Sequence, residues 1–245
     1  MSAPPRDRQG LQVIDADGYG LALTFHRQQD RYRHEIALVT PAGPMPWLES
    51  MESSDAIAWP DSPPFQELSV EWQNDRHVAL LVGMAGKSYW SASIETNAAT
   101  RSLRFDIACR LREPPQKLGS TYRFAWPPAS KLPSADQPTS SATAALEPAP
   151  SASRSQMVWV VAAPPPDLPA AGPSRKQNGL SRLDSCVLRT SDENAHCERS
   201  DGDSLIAIVP RIGTPVSVTT VRWQYEFSWE GLTPCSQKTD SDKIP

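Results

Sequence analysis

The chain has 245 residues, of which 25 are proline and 8 are tryptophan, and its formal net charge is −4. So many helix-breaking residues exclude a long-helix or coiled-coil protein, and without a G-X-Y period the chain is not collagen-like. The acidic balance argues against generic binding to nucleic acid, which needs a basic footprint.

The prolines are unevenly distributed along the chain. Residues 65–113 contain none, whereas residues 127–173 contain eleven of them. Because proline is excluded from central strands, this distribution separates sheet-forming sequence from irregular sequence.

The N-terminal region alternates apolar and polar residues, as expected for strands with one buried face. The pattern predicts strands over 11–14, 21–27 and 32–39. His34 falls on the apolar side of its strand, and His26 on the polar side. The DADGYG segment between the first two strands predicts a hairpin turn, because a calcium loop would need a glutamate where His26 stands.

Residues 41–64 contain six prolines and predict an irregular loop. Trp47 and Trp59 lie in this loop and are candidates for an exposed binding platform, since loops often carry binding residues. The alternative is that the loop packs over a sheet edge.

Five further strands are predicted before residue 127, at 66–72, 78–84, 90–95, 103–111 and 120–126. VALLVGM is apolar on both faces and predicts a central strand. GMAGKS lacks the first glycine of a phosphate-binding loop and precedes a strand, so it predicts a hairpin turn. Inward positions are expected for Trp72, Trp90, Trp126, Trp223 and Trp229.

Residues 127–156 are dominated by three residue types, with 20 of the 30 being Pro, Ala or Ser. Such a segment cannot bury enough apolar surface to offset its ordering entropy, so we expect a disordered insertion. Residues 167–203 predict a polar loop. Strands at 157–162, 204–209 and 216–229 follow the insertion, and three strands alone make a weak core.

The predicted fold is mainly β, an antiparallel β-sandwich of about eleven strands with a long disordered Pro/Ala/Ser-rich insertion. We expect a single domain over 10–232, with flexible tails at 1–9 and 233–245. No apolar run approaches the roughly 20 residues that span a bilayer, and the N-terminus lacks a secretory apolar region. A cytoplasmic protein without a membrane partner is therefore expected.

Four cysteines occur, without CxxC spacing, and reduced thiols are expected in the cytoplasm. His196 and Cys197 with Cys186 could supply three metal ligands, but closed zinc sites usually show two paired clusters. A disulfide between Cys186 and Cys197 and a plain solvated loop are the alternatives. We expect neither a metal nor a cofactor.

Arginine and carboxylate side chains alternate on the outward faces of the predicted strands. Cross-strand ion pairs on a solvated face explain them most simply. A sharper hypothesis is a concave face that binds sugar through hydroxyl hydrogen bonds and a stacked aromatic ring. Its expected ligand-binding residues are Trp47, Trp59, His26, Arg33 and Glu35.

No catalytic constellation is identified, and catalytic residues stay unassigned. The leading hypothesis is a non-enzymatic binding or interaction protein whose partner is a carbohydrate or a protein, with no nucleic-acid partner. The alternative is a carbohydrate-active enzyme with a mutarotase-like sandwich, in which a His and a Glu act as acid and base. The likeness to aldose mutarotases is limited to architecture, with no shared motif.

Overall fold

The computed structural model describes residues 8–54, 56–74, 76–125, 156–162, 183–190, 195–199, 205–212 and 219–231. Within these ranges the chain forms fourteen β-strands and no helix. None of these residues therefore belongs to a helix long and apolar enough to cross a bilayer. The expected disordered insertion lies outside the described residues apart from residue 156. So do the expected tails, except that the first strand already begins at Arg8.

The strands form two antiparallel sheets of seven strands each, which confirms the predicted all-β sandwich. Sheet A has the order β1-β2-β3-β4-β9-β13-β12, with strands β1 (Arg8–Ile14), β2 (Gly20–Gln28), β3 (Arg31–Thr40), β4 (Gly43–Ser50), β9 (Ser120–Phe124), β13 (Leu205–Pro210) and β12 (Ala195–Arg199). Sheet B has the order β10-β11-β14-β8-β7-β6-β5, with strands β10 (Gln156–Ala162), β11 (Leu183–Thr190), β14 (Thr219–Gly231), β8 (Ser102–Leu111), β7 (Ser88–Asn97), β6 (Arg76–Ala85) and β5 (Phe65–Gln73).

Both hairpin turns expected from the sequence are present. The Asp15 carboxylate accepts hydrogen bonds from the backbone N–H groups of Asp17 at 3.0 Å and Tyr19 at 2.9 Å, and Gly18 has a φ of 85°. This is the local bonding by which Asp stabilises turns, and glycine tolerates the positive φ. The other turn, closed by the pair Ala85 and Ser88, joins β6 to β7.

The strands after residue 156 belong to the same two sheets as the strands before it. β13 pairs with β9 from Leu205 to Ile208, and the 13-residue strand β14 pairs with β8 over ten positions. The single-domain boundary at 10–232 stays a prediction, while the pairing shows how distant segments build each sheet.

Aromatic side chains on the inward faces fill the space between the sheets. Phe105 and Tyr225 stack with ring centroids 4.7 Å apart, and Phe227 meets Trp47 edge to face at 5.6 Å. The inward positions predicted for three tryptophans are confirmed, since Trp90, Trp223 and Trp229 are each at most 2% exposed. Such aromatic pairs contribute about 0.5–1.5 kcal/mol beyond the area they bury.

One of the predicted inward tryptophans differs. Trp72 is 63% exposed and stands at the next-to-last position of β5. Trp126 lies outside the described residues, and β9 ends at Phe124.

The loop predicted at 41–64 is wrong in its first part, where β4 forms. Pro44 and Pro46 lie in the part of this strand that pairs only with β3. The register of β3 shifts next to this part, between Ile36 and Ala37. β9 pairs with β4 only from Leu48 to Ser50. Proline is tolerated there because an edge-like segment has one side without a ladder.

The polar loop predicted at 167–203 is also wrong, since β11 and β12 both fall within it. In β11 the consecutive side chains of Cys186, Val187 and Leu188 are all fully buried. The low average hydrophobicity of the surrounding segment concealed this short apolar run. These two strands and β4 account for the difference between about eleven and fourteen strands.

Truncating Phe227 tests the aromatic core. We expect Phe227→Ala to lower the free energy of unfolding by about 3–5 kcal/mol, because the ring is fully buried against four aromatic neighbours. Equilibrium urea denaturation measures the change. The matched control is Trp72→Ala, whose exposed ring predicts a change within about 0.5 kcal/mol. Similar losses in the two variants would contradict this assignment of the core.

Candidate functional site

The outer face of sheet B is open to solvent and is built from alternate residues of five strands. The register places Glu67, Val82, Ser91 and Ala108 in one row across β5, β6, β7 and β8. The next row joins side chains of β6, β7, β8 and β14, namely Met84, Tyr89, Arg110 and Thr220. Strand periodicity alone therefore brings these distant residues together.

Large apolar side chains are exposed on this face. Leu80 is 38% exposed, Val82 47%, Met84 43% and Tyr89 47%, and these four residues form the apolar patch. The first three belong to the VALLVGM segment, which lies between β5 and β7 as a central strand. Its second apolar face is uncovered in the described residues. A contiguous exposed apolar surface commonly marks a binding or interaction site.

A groove of about 430 Å³ lies beside the apolar patch. It forms where the register of β5 shifts between Phe65 and Glu67, opposite Gly83. A Cβ on Gly83 would lie 1.9 Å from the carbonyl oxygen of Pro64, so glycine is required for this close approach. Polar groups at the groove come from Gln66, Glu67, Ser91, Arg110 and Thr220.

Tyr89 and Arg110 are the side chains best placed to contact a ligand in this groove. They are direct cross-strand neighbours. The guanidinium carbon of Arg112 lies 5.4 Å from the Tyr89 ring centroid, a cation–π distance that restrains the ring. Arg110 is exposed and has no ion pair within the described part of the chain. Its donors are therefore available.

The rest of the outer face of sheet B carries charged side chains, four of which form two ion pairs. Arg222 binds Asp106 through both guanidinium and carboxylate atoms, with Nε 2.6 Å from Oδ1. Hydrogen bonding from Arg222 lowers the pKa of the Asp106 carboxyl, although burial opposes the shift. Arg76 and Glu95 pair at 2.6 Å. These pairs match the expected solvated sheet face and form a polar rim around the apolar patch.

Three of the expected ligand-binding residues lie on the outer face of sheet A. His26 and Arg33 are register partners on β2 and β3, and Glu35 follows two residues later on the same face. Arg33 binds Glu49, whose other oxygen accepts a bond of 2.8 Å from Arg123. Arg33 is thus part of a cross-strand ion-pair network.

The two expected platform tryptophans are not on that face. Trp47 is 4% exposed and packs against Phe227 on the inward side of β4, so it is not an exposed platform and fits the packing alternative. The register shift between β3 and β4 falls at Trp47 and breaks strict alternation, so Trp47 and Leu48 are both buried. Trp59 is half-buried and packs against the hydrophobic core. The structure therefore does not assemble the expected five-residue site.

His34 belongs to a polar chain in the interior. Its Nε2 is 2.9 Å from the Tyr122 hydroxyl, which is 2.7 Å from the Tyr225 hydroxyl. Burial lowers the pKa of His34 to about 3, so the imidazole is neutral near pH 7. Burial likewise raises the pKa of both tyrosines.

Glu52 approaches the same chain through Ser50. The Ser50 hydroxyl accepts a bond of 2.9 Å from the His34 backbone N–H and donates one of 2.9 Å to Glu52 Oε1. Burial raises the pKa of Glu52 to about 7, and the charges of Arg31 and Arg33 only partly oppose this shift. A carboxyl that carries a proton near neutral pH therefore sits beside the interior.

A second groove, of about 570 Å³, lies on the outer face of sheet A. Its charged lining residues are already engaged, since Glu198 Oε1 is 2.8 Å from His196 Nε2 and Lys117 binds Asp61. His196 and Cys197 are consecutive in β12 and so point to opposite faces. No group of three metal-ligating side chains occurs among the described residues.

Comparisons with known proteins add no assignment. No family model, curated protein or solved structure matches the chain. The candidate site therefore depends on the geometry of the outer face of sheet B alone.

The sequence contains the signal for this site, in an ambiguous form. The VALLVGM segment has apolar residues on both of its alternating faces. Taken alone, this pattern indicates a strand that is buried on both faces. Its hairpin partner WSASIE carries small polar residues at the outward positions, which indicates a face in contact with solvent. The combination predicts an apolar strip on an otherwise polar face.

The carboxyl of Glu52 makes a prediction about pH. Its folded pKa of about 7 exceeds the ordinary 4.5, so its favourable contribution is full below pH 4.5 and is lost as pH rises through 7. Glu52→Gln keeps the side chain neutral at every pH. We expect the variant to exceed the original protein in stability by roughly 2 kcal/mol at about pH 8.5. The two proteins should be similar near pH 4.5.

Urea denaturation across this pH range measures the difference. A constant difference at every pH would mean that the substitution acts through packing and not through ionisation.

Proposed function

We propose that this chain is a non-enzymatic binding protein whose recognition surface is the outer face of sheet B. The observation that carries the proposal is the apolar patch of Leu80, Val82, Met84 and Tyr89, each more than a third exposed. Covering such side chains contributes about 25 cal/mol per Å² of apolar area. A partner that shields the patch gains this free energy.

The surroundings of the apolar patch favour a macromolecular partner. An apolar centre with a polar rim is the usual anatomy of a protein interface. Here the rim is supplied by the Arg222–Asp106 and Arg76–Glu95 pairs, whose strands are fixed by the sheet. These two pairs present compensated charge to a partner, whereas Glu67 and Arg110 beside the patch have no ion pair within the described residues.

Binding is favoured over the His/Glu enzyme alternative by the position of the histidine that it requires. His34 is only 3% exposed and is bonded to Tyr122 in the interior. Neither groove described above is lined by His26 or His34. A general base must reach the proton that it abstracts, which a substrate in either of these grooves would not allow.

The cytoplasm is part of the proposal. Cys109 and Cys197 are free thiols, and burial raises the pKa of each to about 12. Buried thiols with a raised pKa are inert packing residues. They require no oxidising compartment for the fold.

Site-specific photo-crosslinking tests the proposed surface. We expect benzoylphenylalanine at Val82 to give discrete adducts with a partner in cells that express the chain natively. Met84→Asp should weaken the adduct because it places a charge in the apolar patch. The matched control is the same probe at Gln12, an exposed residue on sheet A. Equal labelling from Val82 and Gln12 would contradict the proposal.

Carbohydrate is a second ligand class, favoured by the groove itself. Tyr89 presents a half-exposed ring beside the Arg110 donors, and an aromatic ring can stack on the apolar face of a sugar. Arginine donors can bond its hydroxyls. These two side chains support a sugar site on sheet B, away from His26, Arg33 and Glu35 on sheet A.

A glycan array followed by calorimetry tests this second class. We expect Tyr89→Ala to weaken binding of any recognised glycan at least about tenfold, or roughly 1.4 kcal/mol. Trp72→Ala is the control, since that exposed ring lies outside the groove. Either an array without a recognised glycan or retained binding by Tyr89→Ala would reject carbohydrate as the ligand.

A further inference from the structure

β5 is an edge strand of sheet B. It pairs with β6 from Phe65 to Gln73 and is the last strand in the order of that sheet. No other described strand pairs with it. An edge strand presents a row of main-chain donors and acceptors that another strand can bind.

The side chains of β5 divide sharply between its two faces. Leu68 and Val70 are half-buried and pack against the core, and Trp72 on the same side is 63% exposed. Glu67 and Glu71 are exposed on the outer face. A strand added beside β5 would therefore meet apolar side chains on one face and acidic ones on the other.

The two carboxylates carry uncompensated charge. Glu71 accepts bonds of 3.1 Å from the Ser69 hydroxyl and 2.8 Å from the Gln73 amide, both of which are neutral donors. Neither Glu67 nor Glu71 has an ion pair within the described residues. The nearby Arg76 is bound to Glu95 at 2.6 Å. The edge is therefore locally negative.

The charge pattern of β5 decides which kind of strand can add to it favourably. If a second copy paired antiparallel about Ser69, Glu67 of each chain would face Glu71 of the other. Like charges directly opposite are destabilising, whereas opposite charges contribute about 0.2–1 kcal/mol per pair. A basic strand would therefore form a favourable charge pair at both glutamates, whereas a second copy would place like charges opposite each other at both.

We propose that β5 is the docking edge for an extended, basic segment of a partner protein. The segment alternates apolar with Lys or Arg residues and adds to sheet B as an eighth strand. The added segment pairs along residues 67–73 of β5, a length of about 23 Å. It begins after Gln66, because the side chain of Gln66 bonds to Asp30. Main-chain bonds supply affinity, and the alternate side chains supply selectivity. The proposal deepens the proposed function by naming the partner's chemistry, and it rests on that function.

Acidic residues on an edge also prevent unwanted strand pairing. Glu67 and Glu71 would have that role alone if no basic strand binds. The experiment distinguishes the two roles because repulsion of like strands predicts no affinity for any peptide, whereas docking predicts affinity for one alternating pattern.

The probe is a fluorescein-labelled nonapeptide in which lysine alternates with valine and threonine, measured by fluorescence anisotropy on the full chain. We expect saturable binding that weakens about tenfold or more for Glu67→Lys with Glu71→Lys. The double variant Glu67→Gln with Glu71→Gln should weaken it less and guards against misfolding. The matched control, Glu35→Lys with Glu226→Lys, carries the same change of charge elsewhere and should bind the peptide as the original chain does.

Two further peptides test the docking mode. A scrambled peptide of the same composition should bind at least tenfold more weakly, because it cannot place lysines on one face. Two methylated peptides carry N-methyl groups on the odd-numbered or on the even-numbered residues. Only one of them should lose binding, because the N–H groups of alternate residues face β5 and the others face solvent. Equal binding of the scrambled or of both methylated peptides, or no binding of the probe, overturns the proposal.

The outcome is separable from that of the proposed function. If Val82 gives adducts while the probe does not bind, the outer face is a recognition surface and the β5 proposal fails. If the probe binds while Val82 gives no adduct, β5 is a docking edge and the apolar patch is not the surface.

Discussion

The hydrogen bond between the hydroxyls of Tyr122 and Tyr225 is the interaction on which the sandwich depends. It joins β9 of sheet A to β14 of sheet B at 2.7 Å in the interior. A buried hydroxyl without a partner costs about 1–3 kcal/mol. Tyr225 therefore requires the opposite sheet at this position. His34 completes the chain on the Tyr122 side, which fixes β3 relative to β9 as well.

This interior leaves little room for function between the sheets. The space around the tyrosine pair is filled by aromatic rings, including Phe105 stacked at 4.7 Å on Tyr225 and Phe227 packed edge to face on Tyr122. Trp47 packs against Phe227, and His34 bonds to the buried hydroxyl of Tyr122. Both side chains therefore belong to the core and not to a surface site. The proposed recognition surface accordingly lies on an outer face, where alternation places residues that the core does not need.

The sequence predicts the fold well where a strand has one apolar and one polar face, as in β8 and β14. It fails at β4, because the tolerance of Pro44 and Pro46 depends on which side of the strand has a partner. It fails at β11, because a short run around Cys186 is diluted by polar neighbours. The site was misplaced for a related reason: the exposure of Trp47 and Val82 depends on how the sheets stack, and strand periodicity does not contain that information.

The apolar patch and the acidic edge are adjacent, and this adjacency has a physical consequence. Val82 on β6 is the register partner of Glu67 on β5, so the two features meet in a single row of side chains. A strand added to β5 would extend the sheet beside the patch, and whatever precedes or follows that strand in the partner would be held near Leu80 and Met84. Linked contacts of this kind raise the effective local concentration of the second contact. The proposed edge, which selects by charge, and the proposed face, which gains free energy by burial, can therefore act on one partner.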